Sequence, residues 1–172
     1  GRERRPARAI VAHLDTLGAM VRELKGNGRV GVVPIGSWSS RFAEGARLTL
    51  FTDQGQMRGT CLPLKTSGHA FGDAIDTQPS SWDHVEVRLD HPLASEADLQ
   101  AAGVRVGDWM AFDPQPELQP GGYINARYLD DKAAVAVLLT ACKALRDSGA
   151  ELPVDAHPLF TITEEVGSGS SA

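Results

Sequence analysis

Cysteine is scarce in this chain of 172 residues: there are only Cys61 and Cys142, far apart. Neither belongs to a C-x-x-C pair, which excludes a disulfide framework and a cysteine-built metal site, and makes a reducing, cytoplasmic setting the expectation. Long apolar runs are also missing. The longest, Ala133–Leu139, falls far short of the ~20 residues that cross a bilayer, so no membrane partner is expected. The basic opening Gly1-Arg2-Glu3-Arg4-Arg5 is not followed by an apolar segment, so it reads as a solvated start or a trimmed end and not as a secretory leader. Positive charge is in deficit as well. With 17 Lys and Arg against 22 Asp and Glu, the net charge is -5, which gives no electrostatic reason to expect nucleic acid as a partner.

What is present is ordinary for a soluble globular protein. Hydrophobic residues make up 42% and charged residues 23%, too apolar for a disordered chain and enough for one domain or two small ones. The first half is strand-like. Ala9–Ala12 reads as a short buried strand ending at His13. Ala19–Leu24 and Arg29–Ile35 are separated by Lys25-Gly26-Asn27-Gly28, whose Asn-Gly step is the strongest short hairpin signal. Ala46–Thr52, Gln56–Leu64 and His84–Leu89 follow, with a turn at Asp53-Gln54-Gly55. Short strands punctuated this often suggest a small barrel or sandwich. Ser95–Ala102 reads as a short helix capped by Ser95 and stopped at Gly103, Val104–Phe112 as a further strand, and Asp113–Gly122 as a loop.

The second half changes character. Asp131–Ser148 reads as one helix stopped by Gly149, and Leu152–Thr163 as a strand whose regular part starts after Pro158. The fold class implied is α/β, with a start at residues 1–16, a β-rich insertion at 17–112 and a return to α/β at 113–172. The Gly/Ser-rich end GSGSSA carries no closing element, and the stretch Glu164–Ala172 is expected to be mobile.

Three polar sites fall at element ends: His13-Leu14-Asp15 after the first strand, Asp130-Asp131 at the mouth of the helix, and Glu164-Glu165 after the last strand. Strand C-termini and helix N-termini of an α/β sheet face one crevice. Each site alone has an ordinary structural reading: a hydrogen-bonded histidine, a helix cap, a solvated turn. Together they offer one imidazole and several carboxylates, a donor set suited to Zn²⁺ or a similar divalent ion. Two adjacent glutamates repel each other, and a metal would supply the positive charge they call for. It would also explain the paired aspartates, one holding metal while its neighbour caps the helix and orients the site.

The stretches AHLDTLGAMV, ARYLDDKAAVAVLL and FTITEEVGSGSSA resemble three successive motifs of the dinuclear metal aminopeptidases, the glutamyl, deblocking and tetrahedral-shell enzymes once described as cellulases. VPIGSW and GVRVGDWMAF are similar to the same family. HLDT, where an H-x-D-E run is common, resembles a bacterial subgroup found beside genes for an N-acetylated dipeptide-amide osmoprotectant, N-acetylglutaminylglutamine amide. The resemblance implies a zinc-peptidase-like catalytic domain interrupted by a barrel-like dimerisation domain, and a homo-oligomer assembled through it. The implied cofactors are two divalent metal ions, zinc with cobalt or manganese as alternatives, and the implied substrate is a peptide or modified dipeptide. The roles carried over are His13 as a terminal ligand, Asp130 as the bridge between metals, Glu165 as ligand of the second metal, Glu164 as general base, and Asp15 as the residue that orients the His13 ring or tunes the site. Asp131 is given a supporting role. His69, in SGHAFGD, is either a turn histidine or a substrate contact.

The family pattern also calls for an Asp and a His downstream of the Glu-Glu pair, and the chain ends seven residues after Glu165. His157 lies nearby but upstream. The chain is therefore expected to be part of a longer enzyme, holding half a metal site and inactive by itself. The competing readings are a non-catalytic assembly module and a related carboxypeptidase or deacylase with the same metal chemistry.

Overall fold

The computed structural model describes residues 3–167. Residues 168–172, which hold most of the Gly/Ser-rich tail, lie outside the described residues. The chain divides into two compact units, one made of residues up to Thr16 together with those from Pro114 onward, the other of Leu17–Asp113.

The continuous unit is a closed six-stranded antiparallel barrel. Its strands are β2 (Gly18–Leu24), β3 (Val30–Ile35), β4 (Arg47–Thr52), β5 (Gly55–Pro63), β6 (Val85–Leu89) and β7 (Trp109–Phe112), in the order β2-β3-β6-β5-β4-β7. Period-two alternation fills it. Leu48 and Leu50 on β4, Cys61 on β5, Val85, Val87 and Leu89 on β6, and Met110 and Phe112 on β7 are all buried, while Arg47, Thr49 and Phe51 on β4 face outward. Closure leaves the barrel without an open edge. The β2–β3 hairpin forms at the expected Asn-Gly step, where Lys25 donates its N–H to the Arg29 carbonyl at 2.9 Å. Gly28 there has φ +74°, and a Cβ would lie 2.2 Å from the Leu93 carbonyl oxygen, so both conformation and space require glycine.

Two short helices belong to this unit: α1 (Gly68–Phe71), which carries the exposed His69, and α2 (Glu96–Ala101). Ser95 caps α2 by accepting the Asp98 N–H at 3.1 Å, and Asp98 returns a bond to the Ala94 N–H at 2.9 Å, a reciprocal cap. The strand expected over Val104–Phe112 is shorter than its sequence suggested. Gly107 at φ +98° and the Asp108 carboxylate, which accepts the Arg105 N–H at 2.8 Å, make a turn there, and β7 starts only at Trp109. Asp113 closes the unit by donating its N–H to the Arg47 carbonyl and by pairing with the Arg58 guanidinium.

The other unit holds β1 (Glu3–His13), the small hairpin of β8 (Glu117–Leu118) and β9 (Ile124–Asn125), helix α3 (Leu129–Ser148) and β10 (Val154–Thr161). The hairpin lies where a plain loop was expected; the Gln119 N–H to Tyr123 carbonyl bond at 2.8 Å closes its turn. β1 and β10 form a parallel two-stranded sheet whose register pairs His13 with Thr161. β1 begins before the expected Ala9 and is not fully buried: Ala12 is, but Ile10 is 48% exposed. Pro158 sits inside β10, paired with Ile10, and not ahead of it. Among the described residues β10 pairs with β1 alone. Helix α3 packs on β1 and ends at Gly149 in the left-handed region (φ +66°). Among the described residues no helix is long and apolar enough to cross a membrane.

The two thiols differ in environment. Cys61 lies in the barrel interior, where burial pushes its thiol up to about 12; Cys142 is exposed on α3. Near pH 8 a thiol reagent is expected to titrate Cys142 in the native chain, and Cys61 only after denaturation. Two thiols reacting at the same rate in the native chain would contradict the barrel interior described here.

Candidate metal centre

The centre lies where β1, β10 and α3 meet, at the C-terminal ends of two strands and the N-terminal end of a helix. His13 is the last residue of β1 and is 8% exposed, so its ring is held in place by packing. Its Nε2 meets Asp130 Oδ1 at 3.0 Å, and its Nδ1 meets the main-chain carbonyl of Asp15 at 3.1 Å. Glu164 Oε2 lies 3.8 Å from Nε2. Burial works to lower the His13 pKa, but the Asp130 and Asp15 hydrogen bonds and the negative charges of Glu164 and Asp15 outweigh it, and the net shift is upward.

The Asp130-Asp131 pair opens α3 in a conformation that is not helical. Asp130 has ψ 108° and Asp131 has φ -117°, and the peptide between them is cis; regular helical geometry begins at Lys132. Both carboxylates engage His13. The Asp130 side chain, 91% exposed, reaches the ring, while Asp131 Oδ2 accepts the His13 main-chain N–H at 3.2 Å. Lys132 Nζ donates to the Leu14 carbonyl, so the mouth of α3 is tied to the end of β1 at two consecutive residues. The adjacent aspartates thus divide their work between ring and backbone, and the capping role expected for Asp131 is replaced by this strap.

Glu164 and Glu165 follow β10. The parallel register that pairs His13 with Thr161 carries both chain ends out of the sheet side by side, which brings Asp15 to the two glutamates. Asp15 Oδ2 accepts the Glu165 N–H at 2.9 Å and Oδ1 accepts the Glu164 N–H at 3.2 Å. Burial works to raise the Asp15 pKa, but these two N–H groups, with further help from the His13 charge, outweigh it and hold the carboxyl below its usual range. Its Oδ1 stands 3.5 Å from His13 Nδ1, farther than the main-chain oxygen that meets the ring. Glu165 is half-buried. Burial first, then the neighbouring charges of Glu164, Asp130 and Asp15, raise its pKa against the pull of His13.

Ligand-type atoms of His13, Glu164 and Glu165 all lie within 4.8 Å of one another. One imidazole nitrogen with carboxylate oxygens is a borderline-to-hard donor set that fits a divalent cation. His157 does not join them. It pairs with Ala9, four residues back along β10, which is roughly 13 Å from the Thr161 rung at ordinary strand rise.

The sequence profile of the M42 glutamyl aminopeptidases matches residues 1–172. The chain belongs to this family. Among relatives, the M42 chain is 38% identical to the protein YhfE of Bacillus subtilis (strain 168), over 100% of its own length and 50% of that protein's. It is 29% identical to the glutamyl aminopeptidase of Lactococcus lactis subsp. cremoris (strain MG1363), over 96% of its length and 46% of the relative's. Among solved structures, the dodecamer PhTET1-12s superposes with a TM-score of 0.75 at 26% identity, covering 98% of this chain and 47% of that one. The chain spans about half the length of the curated relatives it matches.

The Asp15 bond to two backbone amides and the Asp131 strap were not legible from residue types. Both depend on β1 and β10 being parallel neighbours in one particular register, and the sequence carries no direct signal of strand pairing.

Proposed function

We propose that the intact protein containing this chain is a metal-dependent aminopeptidase that removes N-terminal residues from small peptides, modified dipeptides included. The observation that carries the reading is the convergence of His13, Glu164 and Glu165 donor atoms, with Asp130 on the same imidazole, in a chain of the M42 family. In this reading His13, Asp130 and Glu165 would hold two divalent ions, zinc in the first instance with cobalt or manganese as alternatives. Such a metal pair polarises the scissile carbonyl and makes water acidic enough to attack near neutral pH. Glu164 is the general base. It is the more exposed of the two glutamates and stands 3.8 Å from the His13 ring, close enough to the centre to take a proton from attacking water and pass it to the leaving amine. Glu165, half-buried, is better placed to be a fixed ligand. Asp131 and Lys132 hold the ring's backbone and the helix mouth together.

The remaining ligands, an Asp and a His, come in this reading from the portion of the enzyme that corresponds to the rest of the relatives' length. The barrel is proposed to carry self-association. A solved relative at 26% identity is a dodecamer, and a closed barrel offers a rigid surface for such assembly.

Zinc titration tests the ligand count. The 172-residue chain is expected to bind zinc weakly, because His13, Asp130 and Glu165 shared between two ions leave each with two protein ligands, one fewer than zinc sites ordinarily use. The full-length protein is expected to bind two ions tightly. Two tight sites in the 172-residue chain, or none in the full-length protein, would overturn the assignment.

A further inference from the structure

We infer that Asp15 is a positioning residue for the Glu164-Glu165 backbone, acting through its carboxylate on two consecutive main-chain N–H groups. The carboxylate oxygens stand 2.9 Å from the Glu165 nitrogen and 3.2 Å from the Glu164 nitrogen, against 3.5 Å to His13 Nδ1. The ring has a nearer partner at 3.1 Å in the Asp15 carbonyl. The side chain itself is 18% exposed, buried enough for its bonds to carry weight.

The sheet explains why such a clamp is needed. The last backbone bond between the two strands runs from the Leu14 N–H to the Thr161 carbonyl at 2.8 Å. Beyond it, Ile162 to Glu165 have left β10, and the ladder no longer fixes their peptides. Asp15 has left β1 at the same level, and its carboxylate takes over where the ladder stops. Two convergent N–H groups and one carboxylate form a bidentate, charge-assisted arrangement. It fixes two successive peptide planes and hence the directions in which both glutamate side chains leave the backbone. On the other side of the Glu164 peptide, its carbonyl accepts the Gly167 N–H at 3.2 Å, so the turn is held at both ends. Removing the Asp15 carboxylate frees the end nearer the His13 ring.

The clamp is a statement about this chain's own geometry; its effect on turnover rests on the aminopeptidase reading. The first measurement is amide hydrogen exchange by NMR on the 172-residue chain. Asp15→Ala is expected to speed exchange at Glu164 and Glu165 about tenfold or more, with the amides of β10 unchanged. Asp15→Asn keeps one acceptor oxygen, so one of the two amides is expected to stay protected. His13→Ala is expected to leave both protected. Unchanged exchange at both glutamates in Asp15→Ala overturns the inference. So does loss of protection throughout β1 and β10, which would make Asp15 a general support of the fold.

The second measurement is on the full-length protein. Asp15→Asn is expected to lower kcat at least tenfold, to keep KM within about twofold, and to retain metal content. Loss of metal with KM and kcat falling together would assign the carboxylate to the ring instead. A full-length protein that neither binds metal nor turns over substrate would sink the aminopeptidase reading, and the amide exchange would still judge the clamp.

Discussion

Glu164→Gln in the full-length protein is expected to lower kcat by about 100- to 10,000-fold, the usual contribution of a general base, while metal content stays at the wild-type level. Glu165→Gln is expected to do the reverse in its first effect: metal is lost, and activity falls with it. The two residues are adjacent and chemically the same; the order of their roles is what the family resemblance implies, and their placement is compatible with it. Glu164 is exposed, and its carboxylate stands off the His13 ring at 3.8 Å, where a water and a substrate can reach it. Glu165 is half-buried among Glu164, Asp130 and Asp15, and burial with those charges raises its pKa. A half-buried carboxylate amid like charges gains most from a bound cation, which is what a ligand position requires. Gln at 165 removes that charge and offers a weaker, neutral donor. Metal analysis and peptide-hydrolysis kinetics on both variants decide the matter, and a metal-free Glu164→Gln beside a metal-replete Glu165→Gln would reverse the roles proposed here.

How much of this was legible in the sequence depended on the range of the interaction that fixed each feature. The barrel strands over 18–24, 30–35, 47–52, 55–63 and 85–89 were legible because alternation and Gly/Asn/Asp turns are local. So was the α2 cap, where Ser95 and Asp98 bond across three residues. Closure of the barrel was not, since β2 pairs with β7 across almost the whole unit. The same division runs through the candidate metal centre. The three clusters at 13–15, 130–131 and 164–165 announced themselves by residue type at element ends. Which oxygen meets which nitrogen is set by the His13–Thr161 rung and by the non-helical opening of α3, both invisible to periodicity. Pro158 misled in an instructive way. A proline argues against a strand interior, yet the register keeps Pro158 inside β10, opposite Ile10 on β1.

The barrel's stability is expected to rest heavily on one aromatic side chain. Phe112 is 1% exposed at the end of β7, opposite Leu48 on β4. The Trp38 ring meets it edge-on, with centroids 5.0 Å apart, and Trp82 packs against Trp38 in turn at 4.9 Å. Both indoles are anchored by their polar ends: Trp38 Nε1 donates to the Gly18 carbonyl at 3.0 Å and Trp82 Nε1 to the Trp38 carbonyl at 3.1 Å. Phe112 therefore supports the paired indoles beside β2, and the two tryptophans cannot move in to fill a void without giving up those bonds. Phe112→Ala is expected to cost about 3–5 kcal/mol, a large part of the ~5–15 kcal/mol that ordinary domains possess. Trp109 supplies the control. It is as large, but it is 51% exposed and stacked on Phe51 outside the barrel at 4.1 Å, so Trp109→Ala is expected to cost only about 0.5–1.5 kcal/mol. Urea unfolding followed by circular dichroism reads both. A Phe112→Ala midpoint within about 0.3 M of wild type, or equal losses in the two variants, would show that the neighbouring indoles relax into the space and that the barrel draws its stability from elsewhere.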